Sequence, residues 1–172
     1  MSQKSIYFCS VKSKMIIMIR VIEGNLNNQE HQKAVIDLLN HYMADRMGGN
    51  LPPYSFNTAL KVIKGLHEHP SVLILLAMKE VGYVGLMVSF INFATFTAKS
   101  FINIHDIVVL DRYRGTGIGR KLMEAIDTKA RELDCGKITL EVREDNHTAQ
   151  MLYRSLGYDE ENPVMHFWIK YF

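Results

Sequence analysis

Gly115, Gly117 and Gly119 occupy alternate positions in Arg114-Gly115-Thr116-Gly117-Ile118-Gly119-Arg120-Lys121-Leu122. An apolar run ending at Val109 leads into them, and Leu122, Met123, Ile126 and Ala130 follow at helical spacing. The first amides of a helix have no partner inside it, and the helix dipole adds partial positive charge at the same end, so this turn is a cradle for an anion. Glycine suits such a turn because a Cβ would obstruct the approach of a diphosphate and would penalise positive φ angles. Arg114, Arg120 and Lys121 add full charges, and the ligand expected here carries phosphates. The alternative is a tight strand-to-helix turn flanked by solvated cations. A Walker A loop is excluded because Gly-Lys-Ser/Thr is absent, and a dinucleotide turn because the glycines are too closely spaced and lie too late in the chain.

A second cluster follows at 141–158, Glu-Val-Arg-Glu-Asp-Asn-His-Thr-Ala-Gln-Met-Leu-Tyr-Arg-Ser-Leu-Gly-Tyr. Asp145 or Asn146 reads as a helix N-cap and Gly157 as its C-terminal stop. Asn146 and Tyr153 are seven apart and share a face. A phenol at that place is either a proton donor or a core tyrosine with its hydroxyl satisfied. A third group is His105-Asp106, polar inside the apolar run Ile102 to Val109, where buried polar groups need a reason.

The elements that must position these groups can be read from periodicity. A strand is expected over 15–22 and a helix through Ala34, Val35, Leu38, Leu39, Tyr42 and Met43, followed by a breaker-rich loop at 47–53. A helix over 56–67 comes next, then strands over 72–78 and 83–93 as a hairpin, and a strand over 101–109. After the glycine turn come a helix over 117–133, a strand over 137–142, a helix over 146–156 and a last strand over 164–171. The pattern is one α/β domain over 15–172 with a mixed sheet, and residues 1–14 are expected to be a loose leader, with Met15 or Met18 as the biological start.

Arg114-x-x-Gly117-x-Gly119 resembles the acyl-CoA signature of the GNAT superfamily of N-acetyltransferases, and the order of elements is similar to that fold. The resemblance implies a mostly antiparallel central sheet, helices on both faces and a splay between two central parallel strands. It implies that the amides of Gly115, Thr116, Gly117, Ile118, Gly119, Arg120 and Lys121 hold the coenzyme A pyrophosphate. Backbone groups of Ile107, Val108 and Val109 would meet the acetyl carbonyl and pantetheine arm, Asn146 would lie beside the cofactor, and Tyr153 would protonate the departing thiolate. The segment around His105-Asp106 is similar to the diamine N-acetyltransferase branch, which has Glu-Asp there.

An amine must be neutral to attack a thioester, so His105, Asp106 or water is expected to take its proton. Sequence neighbours on a strand point to opposite faces, so only one of the two faces the acceptor unless a bulge intervenes. The alternative, with Asp106 bonded to backbone and His105 packed under a helix, stands beside it. The loop 47–55, with Tyr54, is expected to form part of an acceptor lid.

The chain has 172 residues, 48% hydrophobic and 22% charged, with Lys+Arg 20 against Asp+Glu 18. That near-balance disfavours a nucleic-acid partner. Cys9 and Cys135 lack metal-ligand spacing, His67 and His69 lack further ligands, and the run at 15–19 is too short to span a bilayer, so neither metal nor membrane is expected. The reading is a cytoplasmic acetyl-CoA-dependent enzyme acting on a small-molecule amine, with a homodimer left open. A protein or peptide N-acetyltransferase and a non-catalytic acyl-CoA sensor are the alternatives.

Overall fold

A computed structural model describes residues 18–172. The expected leader, Cys9 and the first part of the expected first strand lie outside the described residues. The elements run β1 (Arg20–Glu23), α1 (Gln29–Ala44), α2 (Phe56–Glu68), β2 (Val72–Lys79), β3 (Gly82–Ala94), β4 (Lys99–Val109), α3 (Ile118–Glu132), β5 (Ile138–Leu140) and α4 (His147–Arg154).

The sheet order is the sequence order, β1-β2-β3-β4-β5, antiparallel until the last pair, where β4 and β5 run parallel. Buried residues fall on two faces. One layer joins Leu73, Leu75, Met87, Ile102 and Ile104 to Ile118, Leu122, Met123 and Ile126 of α3, with Tyr153 of α4. The other joins Ile74, Leu76, Leu86 and Val88 to Val35, Leu38 and Leu39 of α1. Because β2 and β3 are covered on both sides, they are apolar nearly throughout, as a two-sided core demands. Each fully buried Leu or Ile contributes about 1.5–3 kcal/mol. Asn28 and Ser55 cap α1 and α2 by accepting from the amides of Glu30 and Thr58.

Two irregularities in β4 matter for the site. Its pairing with β5 covers only Ile102, Asn103 and Ile104, opposite Ile138, Thr139 and Leu140, so the two strands part from His105 onward. On the other side the register with β3 slips, with Ile104 opposite Ser89 and Asp106 opposite Val88, which leaves His105 as the extra residue of a bulge.

The expected strand over 164–171 does not form. Residues 159–172 carry no regular structure and every one of them is exposed. An apolar, strand-like composition needs an edge to pair with, and within this single chain the segment meets none. The splayed parallel pair is therefore the outer end of the described sheet, where a central position was expected.

Candidate active site

The glycine turn takes its shape from backbone angles. Gly115 has φ 72° and Gly117 φ 87°, and Gly117 is the N-cap of α3 with no side chain capping the helix. The first helical bond runs from the Lys121 amide to the Gly117 carbonyl at 3.0 Å, so the amides of Ile118, Gly119 and Arg120 precede any helical acceptor. A Cβ placed on Gly115 or Gly117 would meet nothing within 4 Å, so conformation and open space are what these two glycines supply. Gly119 has a different duty, since a Cβ there would come within 3.2 Å of Leu152 Cδ2 and push α4 away from α3.

The three cations around the turn differ in what they touch. Arg114 donates to the Val109 carbonyl at 3.1 Å and its guanidinium pairs with Asp45 at 3.0 Å and Asp111 at 2.9 Å. Lys121 pairs with Glu124 at 2.8 Å. Arg120 donates to the Ser155 hydroxyl at 2.8 Å and has no carboxylate partner among the described residues. Arg114 is thus a tie between the turn and the end of α1, and the diffuse positive charge expected of all three rests chiefly on Arg120 and the helix end. Thr116 turns its hydroxyl back to the Tyr113 carbonyl at 2.7 Å.

Past the splay, Ile107, Val108 and Val109 are bonded to β3 on one side and, among the described residues, have no strand on the other. This is an open ribbon of main-chain donors and acceptors ending at the glycine turn. On the far side of the gap stands α4. The Asn146 side chain accepts from the Ala149 amide at 3.2 Å, so its place is that of the helix cap. Gln150 fixes the preceding loop by donating to the carbonyls of Arg143 and Glu144 at 3.0 and 2.9 Å.

Tyr153 projects from α4 into the core and is 7% exposed. Burial above all, and the nearby Tyr42 phenol, push it up to about 12, so it is fully protonated near neutrality. Among the described residues its hydroxyl makes no protein hydrogen bond.

The bulge answers the question of facing. Because it shifts the alternation by one, His105 and Asp106 lie on the same face as α1 and the loop after it. His105 is exposed and meets Phe90 edge-on at 5.8 Å. Asp106 is half-buried, and burial raises its carboxyl above the ordinary range, with the His105 charge opposing in part. Its charge in turn raises the phenols of Tyr42 and Tyr54, each already pushed up by burial. Tyr42 feels Asp106 and is felt by Tyr153, so it stands between Asp106 of β4 and Tyr153 of α4.

The loop after α1 is fixed in place. Asp45 accepts from the Met47 amide at 2.6 Å, the Leu51 amide returns to the Met43 carbonyl at 2.7 Å, and the Tyr54 amide donates to the Asn40 side chain at 2.8 Å. Arg46 reaches Asp145 at 3.5 Å, and Arg143 grips the same carboxylate at 2.9 and 3.1 Å. The consecutive residues Asp45 and Arg46 therefore join this loop to the glycine turn and to the cap of α4. His69 meets Phe90 edge-on at 4.7 Å, and among the described residues no group of three metal-ligating side chains occurs. Nor, among them, is any helix long and apolar enough to cross a membrane.

A family model described as the acetyltransferase (GNAT) family matches residues 35–158. The chain belongs to the GNAT family. The chain is 28% identical over 102 residues to the uncharacterized N-acetyltransferase YhfO of Bacillus subtilis, a match covering 59% of this chain and 68% of that one. It is 32% identical over 74 residues to the thialysine N-epsilon-acetyltransferase of Bos taurus, covering 43% of each. The chain spans less than half the length of several other curated relatives, and only 15% of the Mycobacterium leprae protein ML0378. A solved structure of a probable acetyltransferase superposes with a TM-score of 0.76 at 19% identity, covering 88% of this chain and 97% of that one, which establishes the fold.

Within the GNAT family frame, the residues that sequence reasoning missed are those tying elements together. Tyr42 read as one more apolar position on α1, Asp145 as an alternative N-cap to Asn146, which is the residue that caps α4, and Asp45, Arg46 and Arg143 were given no role. The available signal was their crowding at the two loop ends that flank the motifs, together with a hydroxyl on the last turn of α1.

Proposed function

We propose that this chain is an N-acetyltransferase that uses acetyl-CoA and acetylates a primary amine of a small molecule by direct attack. The observation that carries the reading is the continuity of one open surface. It runs from the main chain of Ile107, Val108 and Val109 to the uncapped amides at Gly117 to Arg120, with Tyr153 on one side and Asp106 on the other. These groups fit acetyl-CoA, whose bound thioester supplies the activated acetyl group. The cradle would take the diphosphate, with Arg120 as an added charge, and β4 would align the arm and the carbonyl. Asn146 contributes by fixing the start of α4.

Asp106 and His105 face the acceptor. A half-buried carboxylate attracts an ammonium and lowers the cost of desolvating it, and either residue, or a water between them, can take the proton that the amine must lose. Tyr153 retains its proton across the physiological range and offers it as a hydrogen bond to the leaving sulfur. Its value near 12 stands above the ordinary thiol value of about 8.5. Tyr153 is the group placed to hand a proton to the sulfur as the carbon–sulfur bond breaks.

The likeness to a thialysine acetyltransferase supports a small amine carrying a second charged group, although His105 in place of a glutamate removes one carboxylate and weakens the case for a polycation. The test is acetyl-CoA turnover across polyamines, thialysine and other amino acids, aminoglycosides and peptide N-termini. Turnover of small amines alone supports the reading, and turnover confined to peptides would replace it with the protein-directed one. Binding of acetyl-CoA with no turnover on any acceptor would favour the sensor.

A further inference from the structure

Two imidazoles meet one phenyl ring on the acceptor side. His69, which follows α2, meets Phe90 of β3 edge-on with ring centres 4.7 Å apart, and His105, the bulge residue of β4, meets it edge-on at 5.8 Å. Phe90 is half-buried against the α1 layer, and both imidazoles are exposed. Three elements far apart in sequence thus bring two histidines to one patch beside Asp106. Among the described residues neither imidazole is hydrogen-bonded to a carboxylate, and no group of three ligating side chains makes the patch a metal site.

The protonation pattern of His69 is set by its neighbour. The Ser71 amide, which can only donate, lies 3.4 Å from Nδ1, and the Ser71 hydroxyl lies 3.3 Å from the same atom. Nδ1 is therefore the accepting nitrogen, assigned from its hydrogen bonds, and the ring proton sits on Nε2. Nε2 has no partner among the described residues. What His69 offers outward is a donor without an acceptor. An ammonium, which carries donors alone, finds nothing to bond there, whereas an anionic oxygen does.

The order of groups along the site gives this patch its place. From the glycine turn back along β4 come Val109 to Ile107, then Asp106, then His105, with Phe90 and His69 beyond. Phe90 lies two residues along β3 from Val88, the partner of Asp106, which is roughly 7 Å at the usual strand rise. An acceptor with its reacting amine at Asp106 extends its other end toward the two imidazoles. That separation suits an amine several bonds away from the anionic end and keeps that end clear of the Asp106 carboxylate.

We propose that His69 and His105 form an anion subsite that takes the carboxylate of the acceptor, so that the substrates are amino acids acetylated on a side-chain amine. The proposal rests on the reading of the chain as a small-amine acetyltransferase and names the class of amine. Asp106 faces the ammonium end, the imidazole N–H groups face the carboxylate end, and Phe90 holds the two rings apart.

The experiment is acetyl-CoA turnover by the full chain on two pairs that differ only by a carboxylate, lysine against cadaverine and ornithine against putrescine. It is run on the wild type, His69→Ala and His69→Arg. The wild type should favour the amino acid of each pair by about tenfold or more in kcat/KM, as a hydrogen bond to a charged group warrants. His69→Ala should erase most of that preference through the KM for the amino acid, and His69→Arg, which restores donors without an acceptor, should keep it. The KM for acetyl-CoA should stay put in both variants, which separates the effect from a folding defect. Diamines used as well as their amino acids, a preference that survives His69→Ala, or its loss in both variants would each overturn the proposal and leave the acetyltransferase reading standing. Turnover on no small amine at all would remove the small-amine reading together with the subsite.

Discussion

The Asp45 carboxylate accepts a hydrogen bond from the Arg114 guanidinium at 3.0 Å, joining the end of α1 to the turn that precedes α3. The next residue, Arg46, contacts Asp145 just before the cap of α4, so two consecutive side chains connect the loop after α1 to both motifs that border the gap. Arg114 belongs to the signature expected to bind pyrophosphate, yet its guanidinium is spent on holding the turn in place.

That pairing gives a pH-dependent stability. The Met47 amide and Arg114 hold the Asp45 carboxyl below the ordinary carboxylate range. Its contribution is present above the unfolded value near 4 and disappears as pH falls through the lowered folded value. Asp45→Ala should cost about 2 kcal/mol at pH 7. Melting curves should show the gap between variant and wild type closing in acid.

Asp106 should behave in the opposite sense. Burial raises its carboxyl, so the folded state is relatively favoured below the ordinary carboxylate value and loses that advantage as pH rises through the raised value. Asp106→Asn should melt higher than wild type at pH 8, with the gain shrinking as pH is lowered. Turnover of amine acceptors should fall in the same variant.

Gly117 sits at φ 87°, where a side chain costs about 1–2 kcal/mol. Gly117→Ala should therefore lower stability modestly and, if the turn straightens, weaken acetyl-CoA binding by roughly tenfold or more. Thermal melts and calorimetric titration separate the two effects. Gly119→Ala acts elsewhere, against Leu152, and should disturb α4 before it disturbs ligand affinity.

Tyr153→Phe removes the proposed proton donor and leaves the packed ring. Turnover should drop by about 10²–10⁴ while the dissociation constant for coenzyme A stays close to wild type. Unchanged turnover would take Tyr153 out of the mechanism.

Much of this architecture was legible in the sequence because it rests on local signals. The three-and-four spacing on α1 and α3, the breakers after α1, and the glycines before α3 each fix an element or a turn without help from distant residues. Tertiary irregularities were not legible. The bulge that brings His105 and Asp106 to one face depends on how β4 registers against β3, and no residue in Ile102 to Val109 announces it. The segment over 164–171 has every attribute of a strand except a partner, and pairing is not a property of the segment itself. Tyr42 was hidden because a half-buried phenol and a core aromatic have the same periodicity.

The central claim is that the main-chain amides from Gly115 to Lys121 hold the coenzyme A diphosphate. The most direct measurement is an amide-resolved nuclear magnetic resonance titration of the protein with coenzyme A. Saturable shifts centred on Gly115 to Lys121 and reaching Ile107 to Val109 are the result this account predicts. Binding that leaves those amides unmoved, or no binding at millimolar ligand, would contradict it.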